Sequence, residues 1–150
     1  MKNKQNIFKI SSAVLSALSI VALFLHFITL RNGKTTYSYK FGSFSSTNDA
    51  LVIISRILFI VTIVVAMVLL AALILQFIMK NDILDWIVVG CGVLMMITSS
   101  LCFVSTLLYC LSISDLGSHV YFPAIGCYWL LVVGIVAPIL AFLSNKKASK

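Results

Sequence analysis

Four long stretches that carry no formal charge restrict what this sequence can fold into. They cover residues 10–30, 57–79, 86–114 and 116–145, with lengths of 21, 23, 29 and 30 residues. A membrane-spanning helix needs about 20 mostly apolar residues to cross about 30 Å of hydrocarbon. Each stretch is long enough for one crossing. The sequence therefore predicts an all-α integral membrane protein, folded as an antiparallel four-helix transmembrane bundle in one domain.

The composition agrees with this fold class, because 61% of the residues are apolar and only 10% are charged. Soluble domains carry about 25% charged residues. The first apolar run lacks the small-residue pattern of a signal-peptide cleavage site, so we expect an uncleaved span. The predicted spans are residues 10–30, 51–79, 84–112 and 121–143, and the predicted outer loops are residues 31–50 and 113–120.

The basic residues predict the orientation of the bundle. If both termini are inside, the inner side carries Lys2, Lys4, Lys9, Lys80, Lys146, Lys147 and Lys150, and the outer side carries Arg31, Lys34, Lys40 and Arg56. This excess follows the positive-inside rule and predicts two cytoplasmic termini. Basic residues at span ends suit the lipid bilayer as partner, and no basic stripe with interleaved aromatics indicates a nucleic acid. The lysine- and isoleucine-rich, glutamate-free sequence is typical of a bacterial cell-membrane protein.

The first outer loop has β character. Thr35, Tyr37, Tyr39 and Phe41 alternate with smaller or polar residues, which predicts a short strand with an aromatic face. A turn at residues 42–43 and a return through residues 44–47 would complete a β-hairpin. The alternative is an irregular aromatic loop on the membrane interface. Because aromatic side chains dominate interface energetics, the expected partner contacts are Tyr37, Tyr39, Phe41 and Phe44.

Small residues at helical spacing predict the helix-packing faces, because small side chains let helices approach closely in lipid. The first span has Ser12, Ser16 and Ser19 on one face. The third span has a seam that includes Cys91, Thr98, Cys102 and Ser105 at steps of three and four, and the fourth has Gly126 and Gly134. A serine-lined solute path or a soft-metal conduit would use the same residues, but packing is the simpler interpretation.

The four cysteines, Cys91, Cys102, Cys110 and Cys127, all lie in or near the third and fourth spans. None is in the first outer loop, so no disulfide can close that loop internally. Cys110 and Cys127 both lie near the outer edge, which leaves one bridge between the two spans as an alternative to buried free thiols. No CxxC pair and no glutamate occur in the sequence. We therefore expect no catalytic residues, no metal site and no cofactor.

The layout, with inner termini, a larger first outer loop of β character and a smaller second one, resembles that of claudin-type four-span proteins. This resemblance implies an architecture only. The tryptophan and paired-cysteine signature of the claudin first outer loop is missing, and Trp86 and Trp129 lie elsewhere. No functional residue can be transferred from that family.

Two functions from different classes fit this layout. The first is a non-enzymatic protein that acts by protein–protein contacts, in the membrane or through its first outer loop, as an accessory subunit, scaffold or immunity-type protein. Its partner would be another membrane protein or a second copy of the chain. The alternative is a small transporter or channel component with a polar gate on the outer side. That gate would consist of His26, Arg56, Asp115 and His119. Together with Asp49 and Asp115, the two histidines could also converge on a metal or proton-linked site.

Overall fold

The computed structural model describes residues 2–32, 34–40, 49–79, 82–114 and 119–145. Within these ranges the chain is mostly helical, with four long apolar helices and a small three-stranded sheet. The helices are α1 (Lys2–Leu18, continued by a 3-10 segment over Ser19–Leu23), α2 (Ala50–Ile78), α3 (Asp82–Ile113) and α4 (Ile125–Asn145), and the strands are β1 (His26–Asn32), β2 (Thr35–Lys40) and β3 (His119–Pro123). The sequence prediction of four apolar helices is confirmed at this level.

The four helices form a ring of antiparallel neighbours, in which α1 packs on α2, α2 on α3, α3 on α4 and α4 on α1. The sheet lies at the end of the bundle where α1 and α3 finish and α2 and α4 begin, here called the sheet end. The opposite end is called the far end. All four helices are long and apolar enough to cross a membrane. At the start of α2 the Asp49 side chain accepts a 2.9 Å hydrogen bond from the Leu51 amide, as expected of a helix N-cap.

Two apolar clusters form the core. One lies near the sheet end, where the rings of Phe27 and Phe59 meet edge to face with their centroids 5.1 Å apart. The other follows α2 and α3 towards the far end and includes Leu69, Leu73 and Met95, all fully buried. The Phe27 contact belongs to a strand and the Phe59 contact to a helix. The sheet is therefore anchored in the core of the bundle and does not simply rest on it.

The sheet has the order β2-β1-β3, with both pairings antiparallel. Asn32 pairs with Thr35 across a two-residue connection, and Leu30 pairs with Tyr37 on one side and with Tyr121 on the other. The central strand thus joins the segment after α1 to the segment before α4. This third strand supports the hairpin, which would be marginally stable alone.

The first helix differs from its predicted span. Residues 10–30 were expected to form one helix, but α1 begins at Lys2, its 3-10 continuation ends at Leu23, and β1 begins at His26. Lys9, which was used to place the start of the span, lies within the helix. Its ammonium group is 5.9 Å from the centre of the Phe77 ring, within the range of a cation–π contact. Lys4–Leu23 already supplies the length of one crossing, which frees the β-forming residues after Leu25 to pair as a strand.

The hairpin also differs from its prediction. Thr35–Lys40 is a strand as expected, and its partner among the described residues is β1, upstream in the chain. The proposed return over residues 44–47 lies outside the described residues. The second loop was expected to have no strand and to lead into a helix from residue 121, but His119–Pro123 is β3 and α4 begins at Ile125. Pro123 ends a strand that lies at a sheet edge, where proline is tolerated.

Candidate interaction surface at the sheet end

The sheet has two chemically different faces, because residues paired across antiparallel strands project on the same side. Leu30 and Ile28 of β1 are buried, and their β2 partners are Tyr37 and Tyr39. These side chains therefore lie on the face that looks towards the bundle, which we call the bundle face. Pro123, the β3 partner of Ile28, is buried there too. The bundle face is apolar and aromatic.

The opposite side, called the outer face, is polar and open. It carries the residues that alternate with the bundle-face set: Thr29 and Arg31 of β1, Thr36 and Ser38 of β2, and Val120 and Phe122 of β3. All of these are exposed except Thr29, which is half-buried. The outer face is therefore available to a partner, whereas the two tyrosines expected from the sequence to contact one lie on the other side of the sheet.

The two edges of the sheet differ in what lies beside their outward backbone groups. At the β3 edge, the Tyr121 amide donates a 2.9 Å hydrogen bond to the Ser114 hydroxyl, which follows the end of α3. Pro123, further along the same strand, has no amide hydrogen to offer. The β3 edge is therefore largely closed. At the β2 edge, no described strand or helix end takes the corresponding position.

The register identifies which β2 groups this edge presents. Asn32 and Thr35 flank a two-residue connection, and such a pair exchanges both backbone hydrogen bonds. Hydrogen-bonded and non-hydrogen-bonded pairs then alternate along the strands. The backbone groups of Tyr37 consequently point at β1, whereas those of Thr36 and Ser38 point away from it. An added strand would pair with Thr36 and Ser38.

The charge around this edge has one sign. Arg31, Lys34 and Lys40 are all exposed, and the described residues of the three strands include no aspartate or glutamate. Lysines next to an edge strand discourage the pairing of two identical copies, because like charges would be brought together. The same lysines attract an acidic segment. The described residues of the sheet and its β1–β2 connection therefore carry positive charge only.

The residues of the predicted polar gate do not come together as a set. His26 begins β1, while His119 pairs with Asn32 at the other end of the same strand. Six strand steps separate these positions, about 20 Å. Within the described residues, no group of three or more histidine, cysteine, aspartate or glutamate side chains can hold a metal ion. Asp115 lies outside the described residues. The register therefore places the two histidine positions at opposite ends of β1, and the gate as a whole stays a prediction.

Arg56 has a distinct environment. It is half-buried in the second turn of α2 and lines a cavity of about 20 Å³ together with Phe27 and Tyr109. A cavity of this size holds about one water molecule. The hydroxyl-bearing residues Ser55 and Thr106 line it as well. Arg56 therefore lies beside a small cavity close to the sheet end.

A buried group of hydroxyls lies beside this cavity, between α2 and α3. The hydroxyl oxygens of Ser55 and Ser105 are 2.8 Å apart, and the Cys102 thiol donates to the Ser55 carbonyl at 3.5 Å. The Thr106 hydroxyl donates to the Cys102 carbonyl at 2.8 Å. The sequence seam on α3 included Cys102 and Ser105, and their partner Ser55 on α2 was missed. A lone serine in an apolar helix gave no signal of its role.

The other residues expected to pack helices are placed as follows. Ser12, Ser16 and Ser19 are fully buried on α1, Thr98 is buried on α3, and Cys91 is half-buried. A side chain at Gly134 would collide with Ser99 of α3, and one at Gly126 would lie 2.8 Å from the His26 carbonyl oxygen. The two glycines therefore serve different contacts, α4 against α3 and α4 against the start of β1.

Two functional details of the sheet end were not found from the sequence. Ser114, which closes the β3 edge, looked like an ordinary loop residue. The other is Trp129, whose indole N–H donates a 3.1 Å hydrogen bond to the Leu18 carbonyl, where α1 changes to the 3-10 segment. Two expected partner contacts, Phe41 and Phe44, lie outside the described residues.

No protein-family model matches this chain, and neither a curated protein nor a solved structure is significantly similar to it.

Proposed function

We propose that this chain is a non-enzymatic integral membrane protein with four spans, whose sheet end faces the outside of a bacterial cell membrane. Four apolar helices of sufficient length support the membrane assignment. The excess of lysine at the far end and the chain termini supports the orientation. In this arrangement the sheet is the part of the molecule that another protein on the outer side can reach.

The protein acts, in this proposal, by binding a partner protein at the β2 edge, as an accessory subunit, scaffold or immunity-type protein. The observation that carries the proposal is the asymmetry of the two sheet edges. Ser114 and Pro123 close the β3 edge, while the outward backbone groups of Thr36 and Ser38 have no described strand beside them. An extended peptide can add to such an edge, with its main chain supplying affinity.

The charge of the surface suggests the character of the partner. Exposed Arg31, Lys34 and Lys40 favour an extended segment with acidic side chains, and they oppose pairing with a second copy. The outer-face residues of β2, Thr36 and Ser38, are polar and so form no apolar pocket. They therefore suit a partner segment that pairs mainly through its backbone. We propose the β2 edge and the outer face as the contact surface in place of Tyr37 and Tyr39, the contacts expected from the sequence.

The test uses a photo-crosslinking amino acid at Thr36 in cells, with the full chain in its membrane. Ser38→Pro removes an outward amide and leaves the β1–β2 hydrogen bonds in place, whereas Ser38→Ala keeps the amide. We expect a discrete cross-linked adduct in the parent and in Ser38→Ala, and its loss in Ser38→Pro. Unchanged thermal stability of Ser38→Pro would show that the fold is intact. An adduct that survives Ser38→Pro, or no adduct at all, contradicts strand addition.

A further inference from the structure

The bundle face of β2 extends beyond the helices. Tyr37 and Tyr39 share this face with buried Leu30 and Ile28, yet Tyr37 is 52% exposed. Among the described residues, β2 packs extensively only on β1, whereas β1 packs on α4 and β3 on α3. The β2 strand has few contacts with the helices. Its aromatic side chains point in the direction of the bundle but beside it.

The position of the sheet along the bundle axis indicates what lies beside β2. The α4 helix has 21 residues and follows β3 after a single residue, Ala124. At 1.5 Å per residue its length is about 32 Å, close to the roughly 30 Å of a hydrocarbon core. The first turn of α4 therefore marks the boundary of that core, if the helices span a membrane as proposed above. The sheet, one residue further on, lies at the level of the lipid headgroups.

The chemistry of β2 suits that layer. Tyrosine has an apolar ring and a polar hydroxyl, and it is enriched at the membrane–water interface. Exposed Lys34 precedes the strand and exposed Lys40 is its last residue, and their long apolar stems let the ammonium groups reach phosphate oxygens. The exposed Tyr37 ring, directed towards the membrane, would be covered by lipid.

We infer that β2 rests on the outer leaflet of the bilayer, with Tyr37 and Tyr39 inserted among the lipid headgroups and Lys34 and Lys40 near their phosphates. The occupant of this face is the lipid surface, not a protein. This inference rests on the membrane-spanning part of the proposed function and is independent of the partner proposed for the β2 edge. It assigns the two sides of one strand to different neighbours: Thr36 and Ser38 to a protein, and the tyrosines to lipid.

Tryptophan substitutions on the two faces test this assignment. The full chain is reconstituted in phosphatidylcholine–phosphatidylglycerol vesicles, and the emission of the parent, from Trp86 and Trp129, is subtracted. Tyr37→Trp is expected to add blue-shifted emission that lipids brominated near the top of the acyl chain quench. Ser38→Trp, one residue away on the outer face, is expected to add red-shifted emission that aqueous iodide quenches. Tyr39→Trp serves as a second bundle-face variant.

The outcomes separate the two proposals. Equal quenching of Tyr37→Trp and Ser38→Trp by iodide, or stronger lipid quenching of Ser38→Trp, overturns the inference while the chain still floats with the vesicles. If the parent does not float with the vesicles after carbonate extraction, the membrane assignment itself fails, and the inference fails with it. Lipid quenching confined to the two tyrosine positions supports it.

Discussion

The Ser12 hydroxyl donates a 2.7 Å hydrogen bond to the backbone carbonyl of Ala137, the residue directly before Pro138 in α4. Proline inside a helix removes one backbone donor and disturbs the local hydrogen-bond ladder. The contact ties α1 to α4 where the α4 backbone is interrupted. The serine face of α1 is therefore more than a set of small residues, because one of its members supplies a specific bond.

Ser12→Ala and Ser16→Ala should separate this bond from simple packing. Both serines are fully buried one turn apart on α1, but the Ser16 hydroxyl has no hydrogen-bond partner. We expect Ser12→Ala to lower the free energy of unfolding by about 0.6–1.7 kcal/mol, the range of interhelical bonds in membrane proteins. Ser16→Ala should leave it unchanged or raise it, because a desolvated, unpaired hydroxyl is removed. Denaturation by SDS in mixed micelles, followed by circular dichroism, measures both. Equal losses would contradict the assignment.

Gly134→Ala should destabilise the α3–α4 contact. A methyl group at this position would collide with the Ser99 side chain, and overpacking of this kind costs about 1–3 kcal/mol. Gly90→Ala is the matched control, because nothing lies within 4 Å of a Cβ atom there. Alanine is a better helix former than glycine, so Gly90→Ala should stabilise the fold by about 0.5–1 kcal/mol. The same denaturation assay applies.

Rescue distinguishes the collision from a general effect on α4. Ser99→Gly removes the atoms that would meet the new methyl group, so the double variant Gly134→Ala, Ser99→Gly should lose less than the sum of the single losses. Additive losses would show that the two positions do not meet. Helix propensity is the same in both backgrounds and cancels in this cycle.

The helices could be predicted from the sequence because the length of an apolar run decides them, whatever lies next to it. The sheet could not. The segment from His26 to Asn32 looks like the end of an apolar span, and it becomes a strand because it pairs with β3, more than 80 residues away in the chain: Thr29 opposes Phe122. Single-sequence periodicity carries no information about such a partner.

The candidate surface, too, could be predicted from the sequence only in part. Tyrosine alternation in Thr35–Lys40 correctly indicated a strand with an aromatic face. It could not indicate which way that face points, because direction follows from the pairing of Tyr37 with buried Leu30. Likewise, the sequence places both histidines on one side of a predicted membrane but cannot show that they lie at opposite ends of β1.

The paired hydroxyls of Ser55 and Ser105 should be energetically coupled. Their oxygens are 2.8 Å apart, and each is also within hydrogen-bond distance of a carbonyl on its own helix, those of Leu51 and Cys102. Each hydroxyl has one proton, so the serine that donates to the other does not donate to its own carbonyl. A double-mutant cycle with Ser55→Ala and Ser105→Ala should give a coupling free energy of about 0.5 kcal/mol or more. Ser144→Ala, whose hydroxyl bonds only within α4, is expected to show no coupling to Ser55→Ala.

All four cysteines should react as free thiols with a maleimide reagent. The structure has Cys102, Cys110 and Cys127 buried and Cys91 half-buried, with no disulfide. In SDS without reductant, a maleimide reagent should add to four positions per chain, and in the folded protein the reaction should be slower at the three buried thiols. Mass spectrometry counts the adducts. Only two adducts in SDS, with Cys110 and Cys127 unmodified, would instead show a bridge between α3 and α4.

Phe27 should be the main anchor of the sheet. Its ring is 3% exposed and meets Phe59 edge to face in the core of the bundle. Phe27→Ala leaves a cavity and should cost about 3–5 kcal/mol, with faster amide exchange at Leu30 and Thr29 as β1 separates from the helices. Phe122→Ala is the control, since this ring lies on the outer face and is 37% exposed; a much smaller loss is expected there. Hydrogen exchange followed by mass spectrometry compares the two variants. Similar exchange in both would mean that the sheet is held by its strand pairing and not by the core contact.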